Sequence, residues 1–187
     1  MNILKGIFEL ATGRAGGIER FGTAPRDLKV SLYVLMTVPV ISALVMAARR
    51  GMGAALGILL LLACALMAPA VISHVLARFW GREEFWLRFA TAFNWSRMAV
   101  VTVFTIMLAL TALLIQAGVP DNSAAELMVA AISFYSLWLE WFVARHGLRI
   151  SAGRAIVAVL AMNGGTFLLL AIPSLISRAL MGEAPAG

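Results

Sequence analysis

Five long apolar runs, near residues 30–48, 54–77, 96–117, 125–144 and 154–178, limit what this chain can become more than any other feature. Each is close to the roughly 17–25 helical residues that cross a hydrocarbon core. The runs are continuously apolar rather than alternating, so they do not suit the wall of a transmembrane barrel. In lipid a spanning backbone must satisfy its own hydrogen bonds, which leaves helices. The chain therefore reads as all-α: a polytopic transmembrane helix bundle of about five spans with an N-terminal amphipathic interfacial helix. Composition agrees. The sequence is 62% hydrophobic and 13% charged, whereas soluble domains are about a quarter charged.

The spacing divides the chain into a cytoplasmic amphipathic segment and hinge (1–29), a five-helix transmembrane domain (30–180) and a short tail (181–187). In residues 2–12, Ile3, Leu4, Ile7, Phe8, Leu10 and Ala11 share one side and Asn2, Lys5, Glu9 and Thr12 the other. That pattern fits a helix lying in the headgroup plane, and equally one packed on the protein's own cytoplasmic side. Lys5 and Glu9 interrupt the apolar stretch, so a secretory signal is not expected. Residues 13–29, GRAGGIERFGTAPRDLK, are Gly-rich and charged and read as a flexible connector. They contain no phosphate-loop pattern.

Charge sets an expected orientation. Of the fifteen bases, twelve fall on one side: Lys5, Arg14, Arg20, Arg26, Lys29, Arg78, Arg82, Arg88, Arg97, Arg145, Arg149 and Arg154. Only Arg49, Arg50 and Arg178 fall on the other, and the loop there, QAGVPDNSAAE, carries Asp121 and Glu126 with no base. The positive-inside rule then places the N-terminus in the cytoplasm and the C-terminus on the opposite side. Short loops and a preference for arginine over lysine suggest a bacterial inner membrane. The lipid bilayer accounts for the formal charge of +6, and no nucleic-acid partner is expected, because no continuous basic face or recognition motif accompanies it. The stretch FWGREEFWLRFATAFNWSR interleaves rings with arginines and reads as a helix on the cytoplasmic membrane surface.

Polar groups inside spans are costly and so are the candidates for function. His74 and Glu140 each lie near the cytoplasmic end of a span, where they can pair, and Arg97 or Arg145 can also reach Glu140. Asn163, Gly164 and Gly165 lie midway along the fifth span. There a hydrogen bond to another helix and close glycine packing are the favoured reading, over a broken-helix transport site. Gly53 and Gly57 have GxxxG spacing, and Pro39, Pro69 and Pro173 sit inside spans. Cys64, within LLLLACALM, reads as an inert buried thiol. Two histidines, one cysteine and no HExxH, CxxC or GxSxG pattern lead us to expect no enzyme, no metal and no other cofactor.

Three pieces of the chain resemble the Ypt-interacting protein (Yip) family of five-span membrane proteins. They are Pro25-Arg26-Asp27 before the first span, the loop opening FWGREEFWLRFATAFNW, and the join WFVARHGLRISAGRAIVAVLA. The last is similar to the family's connector at Arg145, His146, Gly147, Leu148, Ser151, Arg154 and Ala155. Gly147 is placed to end the fourth helix and Ser151 to cap the fifth. The Asp-Leu-Tyr-Gly-Pro motif of eukaryotic members is absent, and Asn94-Trp95-Ser96 stands where the family often has proline. The resemblance therefore does not extend to Rab-type GTPase binding. It implies a non-enzymatic scaffold or interaction protein whose partners are other membrane proteins or a second copy. A small transporter using Asn163-Gly164-Gly165 with Glu140 or His74, or an accessory subunit of a membrane complex, is the alternative.

Overall fold

The computed structural model describes residues 2–181. Among them the chain forms six α-helices and one short 3₁₀ helix, with no strand. The all-helical fold expected from the apolar runs is what forms. Five of the helices, Pro25–Arg50, Met52–Phe79, Glu83–Gln116, Asp121–Gly147 and Ala152–Met181, are long and apolar enough to cross a membrane. The tail beyond Met181 lies outside the described residues, as does the side chain of Arg178.

The N-terminal segment forms two short helices that pack on the bundle. Helix α1 (Ile3–Ala11) starts where the Asn2 side chain accepts a hydrogen bond from the Lys5 amide at 3.2 Å, an N-cap. Its buried Leu10 joins the core, while Leu4 and Phe8 are 81% and 63% exposed. One face thus packs on the protein and another points away from it. Residues 15–20, expected to be flexible, form the 3₁₀ helix. The glycines make this possible by close approach. A Cβ at Gly17 would lie 2.9 Å from the Glu9 Cβ and 3.0 Å from the Gly6 carbonyl oxygen. Arg20 closes the clamp with a forked contact to Glu9, Nε to Oε2 at 2.5 Å and Nη2 to Oε1 at 2.6 Å.

Helix α2 (Pro25–Arg50) begins with proline at its first position, and the Asp27 carboxylate accepts from the Ala24 amide at 3.3 Å. A single residue, Gly51 at φ +87°, turns the chain into α3 (Met52–Phe79). That conformation is open to glycine and strained for other residues. Helix α4 (Glu83–Gln116) opens with Glu83 and Glu84, which complement the positive end of its dipole. The aromatic–arginine stretch is therefore not a separate surface helix; from Glu83 on, it is the first half of α4. Its small and aromatic residues find partners inside the protein: Phe89, Ala90, Thr91, Ala92, Phe93, Asn94 and Ser96 are all buried. At 34 residues α4 is about 51 Å long, well over the roughly 30 Å of a hydrocarbon core.

Helix α5 (Asp121–Gly147) and α6 (Ala152–Met181) complete the bundle. Ser151 caps α6 as expected, accepting from the Arg154 amide at 3.4 Å. Gly147 is the last residue of α5, as expected, and it also sits against α4. The left-handed residue that follows α5 is Arg149, at φ +53°, and Gly147 is needed because a Cβ there would lie 3.0 Å from the Phe89 ring. It sets the α4–α5 spacing. Helices pack in the pairs α2–α3, α3–α6, α6–α5, α5–α4, α4–α2 and α4–α3, with α1 laid across α4. Buried side chains concentrate at the arginine-rich end, around Leu10, Phe89, Leu139, Val143, Leu148 and Met162.

Polar side chains tie the helices together. The Asn94 amide donates to the Ser31 hydroxyl at 3.0 Å, buried between α4 and α2. The Trp86 indole donates to Ser73 at 3.2 Å, linking α4 to α3.

The Arg20 hydrogen bond holds the Glu9 carboxyl below the usual carboxylate range. A depressed pKa adds stability that is present above the unfolded value and is lost as pH falls through the folded one. Intrinsic-rate-corrected hydrogen exchange of residues 3–20 is expected to be steady near neutrality and to quicken below about pH 5. Glu9→Gln is expected to show the quick pattern at pH 7. Protection unchanged down to about pH 3 in the unaltered chain contradicts a stabilising role for the pair.

Candidate functional site

Among the described residues α4 and α6 do not pack directly on each other, and the gap between them is a cleft of about 390 Å³. Arg97 and Val100 come from α4, Ser136 and Glu140 from α5, and Asn163 and Thr166 from α6, with Pro69 of α3 also lining it. The cleft is open at its rim, where Val101 and Asn163 are exposed.

Two helices hold the polar groups by simple periodicity. Ser136 and Glu140 are four apart on α5, and Asn163 and Thr166 are three apart on α6, so each pair shares one face. The Asn163 amide donates to Glu140 Oε2 at 2.6 Å, crossing from α6 to α5, and to the Val159 carbonyl at 3.0 Å in its own helix. This is the interhelical hydrogen bond expected of Asn163. The Thr166 hydroxyl donates to the Met162 carbonyl at 2.8 Å. Arg97 lines the same cleft with its guanidinium 5.5 Å from the centre of the Phe93 ring, a cation–π distance. No ion pair within 4.0 Å joins it to a carboxylate among the described residues.

The other candidates go elsewhere. His74 does not meet Glu140. Its Nε2 lies 3.7 Å from Glu83 Oε1, and its ring lies tilted against Trp86, with the centroids 4.5 Å apart. The tight Gly81–Arg82 turn brings the end of α3 beside the first turn of α4, so Glu83 is the nearer acid. Arg145 is exposed and lies over the Trp141 ring at 5.4 Å, outside the cleft. Gly164 faces open space. Gly165 sits against the Ile72 side chain of α3, whose Cδ1 would have to shift to admit a Cβ there. Helix α6 runs unbroken through all three residues. A Cβ at Gly53 or Gly57 would face open space, and Cys64 is exposed on the bundle's surface rather than buried.

Sequence reasoning missed Ser136 and Thr166, although their one-turn spacing from Glu140 and Asn163 was the signal. It also missed the Asn94–Ser31 contact, for which the sequence holds no signal, because the residues are 63 positions apart.

No protein-family model matches the chain, and neither any curated protein nor any solved structure matches it.

The Glu140–Asn163 bond generates a direct prediction. Interhelical hydrogen bonds within membranes are worth about 0.6 kcal/mol on average and up to about 1.7. A double-mutant cycle of Glu140→Ala and Asn163→Ala, read as unfolding in mixed micelles, is expected to give a coupling energy in the upper half of that range. Additive effects contradict a working bond.

Proposed function

We propose that this chain is a non-enzymatic, multi-pass membrane protein that binds other membrane components, and that the Arg97–Glu140–Asn163 cleft is where a partner's membrane helix docks. The observation that carries this is the cleft's position. Polar and charged groups stand at an open gap on the outside of the bundle, where polar groups facing lipid are costly. A partner helix offering a hydroxyl, amide or charged side chain removes that cost. The partner is another membrane protein or a second copy of this chain.

The resemblance to the Yip family in Arg145-His146-Gly147-Leu148, Ser151 and Arg154-Ala155 supports the same reading. The twelve-to-three division of bases supports an N-in, C-out arrangement in a bacterial inner membrane. The unbroken α6 counts against a small transporter, whose site typically sits at a broken helix.

A photoreactive residue in place of Val101, at the cleft rim, tests the docking. Irradiation in the native membrane is expected to yield one defined protein adduct. Asn163→Leu or Glu140→Gln is expected to lower its yield about fivefold, the effect of roughly 1 kcal/mol, with the chain still accumulating normally. Adducts to lipid alone overturn the reading. Solute flux that depends on Asn163 in the chain by itself favours the transporter instead.

A further inference from the structure

A second cavity, of about 180 Å³, lies at the arginine-rich end and is separate from the cleft. The 3₁₀ helix supplies Ala15, Gly16, Ile18 and Glu19, α4 supplies Phe85 and Arg88, the end of α5 supplies His146 and Gly147, and the turn after it supplies Arg149. Three features set it apart from an ordinary surface hollow. Arg88 lines it, and its Nε is buried without a hydrogen-bond partner, an arrangement that costs free energy. Arg149 holds a left-handed backbone at φ +53°, which persists only where the surroundings impose it. Here buried Leu148 and Ile150 flank it, and the Ile150 amide donates to the Arg145 carbonyl at 3.1 Å. The Arg149 guanidinium is also fixed over the Phe85 ring at 4.6 Å.

We propose that this cavity binds a phosphate group. Two guanidiniums against the single carboxylate of Glu19 leave it net positive, and guanidinium forks match phosphate oxygens. The volume is several times the roughly 30 Å³ that a water occupies in the liquid, enough for a phosphate with a small substituent. A phospholipid headgroup and free phosphate share this chemistry. The lipid source rests on the membrane reading above, whereas the phosphate contact does not.

The test is calorimetric titration of the purified full-length chain, in non-ionic detergent, with dihexanoyl phosphatidylglycerol and separately with inorganic phosphate. Saturable binding is expected. It is expected to weaken at least about tenfold on Arg88→Gln or Arg149→Asn, the loss of a charge-assisted contact, and to be unchanged on Arg50→Gln at the far end of α2. Asparagine is chosen at 149 because it tolerates the left-handed backbone, so this variant decides the matter if Arg88→Gln fails to fold. Lipid binding alone assigns a headgroup site, and binding of inorganic phosphate assigns a general phosphate site even if the membrane reading fails. The absence of saturable binding, or binding indifferent to both arginine substitutions, overturns the proposal.

Discussion

An amide in hydrocarbon has no water to bond to, and every other feature of this protein follows from that constraint. A spanning segment must close its own N–H···O=C ladder, so each apolar run becomes a helix. The same segment can keep its apolar side chains outward without penalty. Val38, Leu44, Leu60, Phe134, Leu160 and Phe167 are all largely exposed on the bundle's surface, which would be a liability in water and is natural in lipid. Without a hydrophobic force between spans, association falls to close packing and a few polar contacts. Gly147 against Phe89 and Gly165 against Ile72 provide the first. Asn94 with Ser31, Trp86 with Ser73 and Asn163 with Glu140 provide the second.

Those contacts are distributed unevenly. The arginine-rich end carries α1, the 3₁₀ helix, the first half of α4 and most of the buried side chains. The far half of α4, from Val101 to Gln116, is almost wholly uncovered within the chain. The cleft and the arginine-lined cavity both adjoin the packed region, where converging helices bring charged side chains together.

Helix type and number were legible because a continuous apolar run of this length has few alternatives. The candidate site was half legible. Asn163 and Glu140 stood out as polar residues in apolar helices, but which residues meet depends on helix rotation and neighbour order, and composition encodes neither. His74 illustrates the limit: depth alone suggested Glu140 as its partner, while the turn at Gly81 supplied Glu83. Two misreadings share one cause. Glycine and arginine in GRAGGIERF, and the rings in FWGREEFWLRF, look like a connector and a surface helix when burial is unknown. Packed against each other, the same small residues permit close approach and the same rings fill a core.

The claim beneath all of this is that five helices thread a bilayer with the arginine-rich end on one face. It is tested most directly by cysteine accessibility in a Cys64→Ala background, with single cysteines at Ser123 and Ser151 probed by a membrane-impermeant maleimide. The account predicts that intact cells label position 123, and that position 151 labels only after the membrane is opened. Labelling of both positions from the same face would contradict it.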